Sequence, residues 1–439
     1  MSNPTGYKIV LVSWVLFLFE PARLVSHYFP SLGPLRWLPT LIVLYAAWLW
    51  ANSKGEKDSY KWFLVFLLVN VFGTFIAFID GNWGIARQIN RQVFQFYVLG
   101  IGTLLFFNDA KKVSNLFLLY FLYILYFALW GIVGLKLDPL EAYSNPGSRP
   151  IVAWHPQLDN RDGFGPLMVI GIGYSFYYYR SVSSAKLRKL SLVCLGLCLA
   201  GVIISFGRGV FLAAVSIMVF IWLNSKRKVA GLFLLGLFSV GMLLTSSVLT
   251  PGHNYWETMK TIGEGTSTES GSDRMVLWGW AWEQFTHNPI FGVGTGNFGI
   301  AIFKYVSPEE MLEYGYTEGR IWGRALHSVP MTVLSENGLV GVLAFALLSI
   351  DFLRTNKVIR RISREPGGGQ PSIKMTEEIG PQRMNYYYMS LGLLACFISY
   401  WINGIFYEIL YYPFLYSIVV MNRLINVHLQ GRKRQTTFC

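Results

Sequence analysis

Residues 325–343 read ALHSVPMTVLSENGLVGVL. The run opens on a polar edge that carries His327 and Pro330, then becomes an apolar run. Continued through residue 353, it is long enough to cross a bilayer as a helix. Comparable runs recur at about 8–28, 35–51, 60–80, 89–107, 114–135, 163–180, 187–205, 209–224, 229–249, 385–405 and 408–428. A spanning β-barrel would show short alternating segments, and these runs are continuous. The expected fold is therefore all-α: a polytopic membrane bundle of about twelve transmembrane helices, with one long outer loop that contains amphipathic helices.

Composition agrees. Of 439 residues, 53% are hydrophobic and only 14% charged; soluble domains carry about 25% charged residues. The net charge of +13 invites a nucleic-acid partner, but the basic residues sit in short breaks between apolar runs: 52–61, Lys111–Lys112, 179–189, 225–228 and 431–434. That is how basic loops are held on the cytoplasmic side. The expectation is no nucleic acid, both termini inside, and a multi-pass protein in contact with membrane lipids. Cys194, Cys198 and Cys396 lie in apolar runs and Cys439 ends the chain. The pattern suggests neither a disulfide nor a zinc site.

Three parts are expected: transmembrane helices 1–9 over 1–249, a periplasmic loop at 250–326, and helices 10–12 over 327–439 with a mobile cytoplasmic loop at 355–384. The outer loop has nine acidic and five basic residues, against the trend of the chain. Within it, SDRMVLWGWAWEQFTHNP reads as a helix starting at Ser272–Asp273, with Met275, Trp278 and Trp282 forming an apolar stripe. The following FGVGTGNFG, glycine-rich at 292, 294, 296 and 299, has neither the strand-then-helix context nor the Lys-Ser/Thr of a phosphate loop. It reads as a turn where backbone comes close to another element.

Three residues at the outer face can carry chemistry. Arg208 lies in the short connection SFGRG, between glycines 207 and 209; a charge there needs a cavity or a partner. Arg274 sits where a helix is expected to start, and there it opposes the helix dipole. His327 marks the membrane edge. Guanidinium forks bind phosphate oxygens bidentately and stay charged at any relevant pH, and a histidine can take the proton of an attacking hydroxyl. Arg320 and Arg324 in the acidic loop, Arg161 in the polar stretch 145–166, and Glu336 in SENGLVG are candidates for support. Glu336 is expected to pair with a cation or buttress packing. No paired-carboxylate metal site stands beside the arginines, and no metal or cofactor is expected.

The order of these pieces over roughly 200–345 is an arginine corner, a Trp-rich helix led by arginine, NPIFGVGTGNF, then HSVPMTVLSENGLVG. It resembles the shared domain of the O-antigen ligase and O-antigen polymerase family. One position departs: the family commonly has Asn after the histidine, and here it is Ser328. The resemblance implies glycan transfer from an undecaprenyl-diphosphate-linked donor to an acceptor hydroxyl on the periplasmic face. The acceptor is lipid A-core for a ligase, and a growing glycan or a protein for its relatives. It also implies diphosphate binding by Arg208 and Arg274 and general-base action by His327. A transporter of lipid-linked sugars is the reading from another class, but it calls for ionisable residues at mid-membrane depth in several spans.

Overall fold

The computed structural model describes residues 4–19, 61–137, 161–205, 207–225, 236, 259–260, 262, 269–364 and 385–437. The expected spans 35–51 and nearly all of 229–249, the distal half of 8–28, most of the loop 355–384, and His253 lie outside them. The described elements are helical: α1 Pro4–Phe19, α2 Lys61–Ile79, α3 Trp83–Phe106, α4 Ala110–Leu137, α5 Arg161–Ser181, α6 Ala185–Ile204, α7 Arg208–Asn224, α8 Glu269–His287, α9 Val329–Ile362, α10 Tyr386–Phe406 and α11 Pro413–Thr437. Short helical turns at Phe298–Ala301, Ile302–Lys304, Pro308–Glu313 and Glu318–Ile321 connect α8 to α9. Five of the described helices are long and apolar enough to cross a membrane: α2, α4, α6, α9 and α10.

The middle of the bundle is a tight seam of α5 against α10 and α6. Small residues allow the approach. A Cβ on Gly173 would stand 2.8 Å from that of Ala395, and one on Gly201 would stand 2.6 Å from Met168. In lipid, close backbone approach of this kind is what holds helices together, because tails are as apolar as the side chains they replace. Cys194, Cys198 and Cys396 are buried free thiols in this packing. Away from the seam, α2 and α9 turn Leu68, Phe75, Phe78, Leu339 and Leu343 outward, as lipid-facing surfaces do.

The quoted segment departs from a plain span. α9 runs to Ile362 rather than stopping near 353, and it is broken at Gly338, which has φ 61° and ψ −161°. A break frees backbone groups that hydrocarbon cannot satisfy, and the glycine-rich loop supplies them. Ser335 and Glu336 carbonyls accept from the N–H groups of Val293 and Gly294, both at 2.9 Å. Beyond the break, Leu339 and Val340 N–H groups donate to Pro289 and Ile290 carbonyls at 2.9 and 3.1 Å. A Cβ on Gly338 would lie 2.5 Å from the Ile290 oxygen, so both the dihedral and the space require glycine there. The loop is fixed on its other side by Thr295, whose N–H and hydroxyl reach the Gly73 and Asn70 carbonyls at 3.1 Å each. Asn82 and Asp80, at the α2–α3 corner, bind Asn297.

A second, smaller core lies under α8. Leu277, Trp280 and Ala281 bury against Phe298, Ile302, Met311, Tyr316 and Ile321. Its buried stripe differs from the expected one: Met275 and Trp282 are exposed, and Trp278 donates from its indole N–H to the Leu326 carbonyl at 3.1 Å. The reason is polar. Gln284, on the 277/280/281 face, donates to the Phe298 carbonyl at 3.0 Å and accepts from the Ser335 hydroxyl at 2.7 Å, which fixes which side of the helix turns inward.

Candidate functional site

Arg208 is the first residue of α7, with Gly207 at its N-cap. The corner is pressed against the end of α10. A Cβ on Gly207 would stand 2.5 Å from the Tyr407 Oη, and one on Gly209 2.8 Å from the Phe406 Cβ. The two glycines flanking Arg208 therefore serve helix contact. Arg274 approaches the same tyrosine from the other side, its guanidinium carbon 6.0 Å from the Tyr407 ring centroid. α8 starts at Glu269, upstream of the expected Ser272–Asp273 start, so Arg274 lies in the second turn and largely escapes the dipole penalty, which is confined to the first.

His327 immediately precedes α9. Among the described residues it alone, glycines aside, has a positive φ, at 50°. A left-handed backbone costs a residue with a Cβ about 1–2 kcal/mol and persists where the surroundings over-determine it. Those surroundings are unusual. The α9 N-cap residue, Ser328, makes no side-chain cap of its own. A neighbouring element supplies one: the Thr332 hydroxyl contacts Glu408 Oε2 and also lies 2.8 Å from the Ser328 carbonyl oxygen, while the Ser328 N–H faces the Glu408 carboxyl. Glu408 follows Tyr407. The link between α10 and α11, residues 407–412, thus touches the Arg208 corner, Arg274 and the start of the His327 helix.

Burial raises Glu408 from the ordinary carboxylate range to about 8, and the nearby Glu336 adds to the rise. Hydrogen bonds from Thr332 and Ser328 oppose it in part. Among the described residues its Oε1 is inaccessible and has no hydrogen-bond partner. Glu336 itself is 5% exposed and turns toward the glycine loop, not toward a cation. It accepts from Gly296 N–H at 2.7 Å, Tyr411 O–H at 3.1 Å and Phe298 N–H at 3.5 Å. It joins the loop to the 407–412 link from inside.

Two supporting arginines share an aromatic ring. Arg324 pairs with Asp273 at 3.6 Å and stands 5.1 Å over the Tyr316 ring. Arg320 stands 5.7 Å over the same ring and donates to the Gly315 carbonyl at 3.1 Å. Arg161 opens α5. His287 donates from Nδ1 to the Glu283 carbonyl at 2.9 Å on the exposed end of α8. Among the described residues, no three His, Cys, Asp or Glu side chains gather in a group able to hold a metal ion.

Tyr407, Glu408 and Tyr411 did not stand out in the sequence. Glu408 there is the first residue of an apolar run and reads as a boundary. The available signal was a lone acid in FYEILYY, between two runs that otherwise carry none nearby. Chemically, the assembly offers the Arg274 guanidinium near the Tyr407 ring, the Arg208 corner packed against the same tyrosine, and an imidazole on a fixed backbone at the end of an apolar helix. Anion binding beside proton acceptance is what such a set can do.

Residues 193–346 match the O-antigen ligase family. The match takes in the Arg208 corner, α8, the glycine loop, His327 and the break in α9, and it supports the O-antigen ligase and polymerase family for this chain. A comparison with curated proteins gives no match.

Proposed function

We propose that this protein is a membrane glycosyltransferase that moves a glycan from undecaprenyl diphosphate to an acceptor hydroxyl, as an O-antigen ligase joining O-antigen to lipid A-core. The observation that carries the reading is the shared contact of the 407–412 link with the Arg208 corner, Arg274 and the His327 helix. Arg208 and Arg274 bind the donor diphosphate, with Arg324 as a neighbouring cation. The acceptor oxygen attacks the anomeric carbon, the bond from that carbon to the diphosphate breaks, and the configuration inverts in this single displacement. The acceptor proton goes to His327. Charge developing on the departing diphosphate is met by fixed guanidinium groups, the arrangement that stabilises a transition state at least reorganisation. In this reading the site faces the periplasm at the inner membrane, and the reaction needs neither metal nor cofactor.

The test uses purified full-length protein with an undecaprenyl-diphosphate-linked O-antigen donor and lipid A-core, in EDTA. Transfer to lipid A-core is expected. It is expected to fall about 10²–10⁴-fold in His327→Ala with donor binding retained, and donor binding is expected to weaken in Arg208→Lys and Arg274→Lys. Glycan lengthening on the carrier, with lipid A-core untouched, would assign a polymerase instead. A strict requirement for an added divalent ion would move the diphosphate from arginine to metal.

A further inference from the structure

The Thr332 hydroxyl has one proton and two acceptors in reach: the Ser328 carbonyl oxygen at 2.8 Å and Glu408 Oε2. Only one of them can receive it fully. The arrangement is satisfied when Glu408 carries a proton of its own and donates to Thr332, leaving Thr332 to donate to Ser328. A chain then runs from the 407–412 link through Thr332 to the backbone of the residue after His327, and the Ser328 N–H returns to the Glu408 carboxyl. His327 is held at φ 50°, and Ser328, the N-cap residue that follows it, provides no side-chain cap.

We propose that Glu408, in its protonated form, is the positioning residue of His327. It caps α9 from a neighbouring element, and through Thr332 and Ser328 it fixes the backbone that aims the imidazole. Tyr407, next to it, ties the same link to Arg274 and the Arg208 corner, so the spacing between the diphosphate grip and the base is set by two adjacent residues. The groups facing Glu408 are Glu336 of α9, Tyr400 of α10, and Tyr411 of its own link. All are acids. A proton on Glu408 removes the repulsion from Glu336.

The inference rests on the transferase reading above, and the experiment separates the two. Four variants are purified at full length, Glu408→Ala, Glu408→Gln, Thr332→Val and His327→Ala, and transfer from undecaprenyl-diphosphate-linked glycan to lipid A-core is measured with donor binding alongside. Misaimed catalytic groups lose about 10–100-fold in turnover. That loss is expected in Glu408→Ala at unchanged donor affinity, with a smaller loss in Thr332→Val. Glu408→Gln keeps a donor and an acceptor in place, so it restores most of the turnover. Should Glu408→Ala fail to fold, Gln and Val carry the test. Wild-type turnover in Thr332→Val or in Glu408→Ala, with His327→Ala inactive, overturns the positioning role and leaves the transferase reading intact. Loss in Glu408→Gln equal to that in Glu408→Ala overturns the protonated form. Wild-type turnover in His327→Ala removes the base, and the transferase mechanism with it.

Discussion

The α5–α10–α6 seam and the joint between the glycine loop and α9 are both places where backbone comes very close to backbone, but they are held by opposite means. In the seam, Gly173 and Gly201 let apolar surfaces meet side by side. At the joint, α9 gives up its ladder at Gly338 and takes four backbone bonds from residues 289–294. Packing tolerates small shifts in many directions, whereas a hydrogen-bonded joint fixes register. His327 hangs from the second kind of contact through α9, while the Arg208 corner meets the end of α10 through the first.

The strongest way to sharpen that contrast is His327→Ala. It is expected to lower transfer about 10²–10⁴-fold while leaving the thermal midpoint of the purified protein near wild type. A large midpoint shift with normal turnover per folded molecule would make His327 a structural residue. Gly338→Val comes next. It places a β-branched residue at φ 61° with its Cβ against the Ile290 oxygen, and a cost of several kcal/mol is expected, on the order of 3–4. Both midpoint and turnover should fall, because the joint carries the site. Undiminished turnover in Gly338→Val would show that the joint is dispensable to it.

In the seam, Gly173→Val is expected to cost about 1–3 kcal/mol of stability by overpacking against Ala395. Turnover per folded molecule and donor affinity should stay at wild type, as read from equilibrium unfolding beside single-turnover transfer. A selective loss of turnover would mean that the seam, too, sets catalytic geometry. The smallest effect is expected from pH. Glu408 sits near pKa 8 in the folded protein against an ordinary 4.5. Its folded state therefore holds a proton that the unfolded chain releases, so this contribution to stability is full below about 4.5 and is lost as pH rises through about 8. The thermal midpoint should decline across that window, and Glu408→Gln should flatten the decline. An unchanged slope would mean that another group titrates there.

The two regions also differ in how far they could be read in advance. The seam follows from apolar runs of membrane length, because burial along a helix is local in sequence. That reading passes over the break at Gly338: it takes the polar SENG as part of one span, although Asn-Gly is itself a turn signal, and the groups that make the break tolerable lie at 289–294. The buried face of α8 was missed for a similar reason, since Gln284 answers to Phe298 and Ser335, not to the hydrophobic stripe. His327 and Arg274 carry recognisable chemistry, so their side chains were nameable. Glu408 does its bonding to Thr332 and Ser328 across the fold, and no spacing announces it.

The joint at Gly338 also divides the outer segment into parts with different freedom to change. Residues 289–298 are locked in register to α9 and the α2–α3 corner, and Leu326 is pinned by the Trp278 indole. Between them, 299–325 is a stretch clamped at both ends and built of short turns over its own small core. That stretch also answers to α8: Met311, Tyr316 and Ile321 pack under that helix, which carries Arg274, and Arg324 holds Asp273. It is a buttress, and exchanging it is expected to loosen the helix that presents Arg274 while the histidine's helix keeps its own joint.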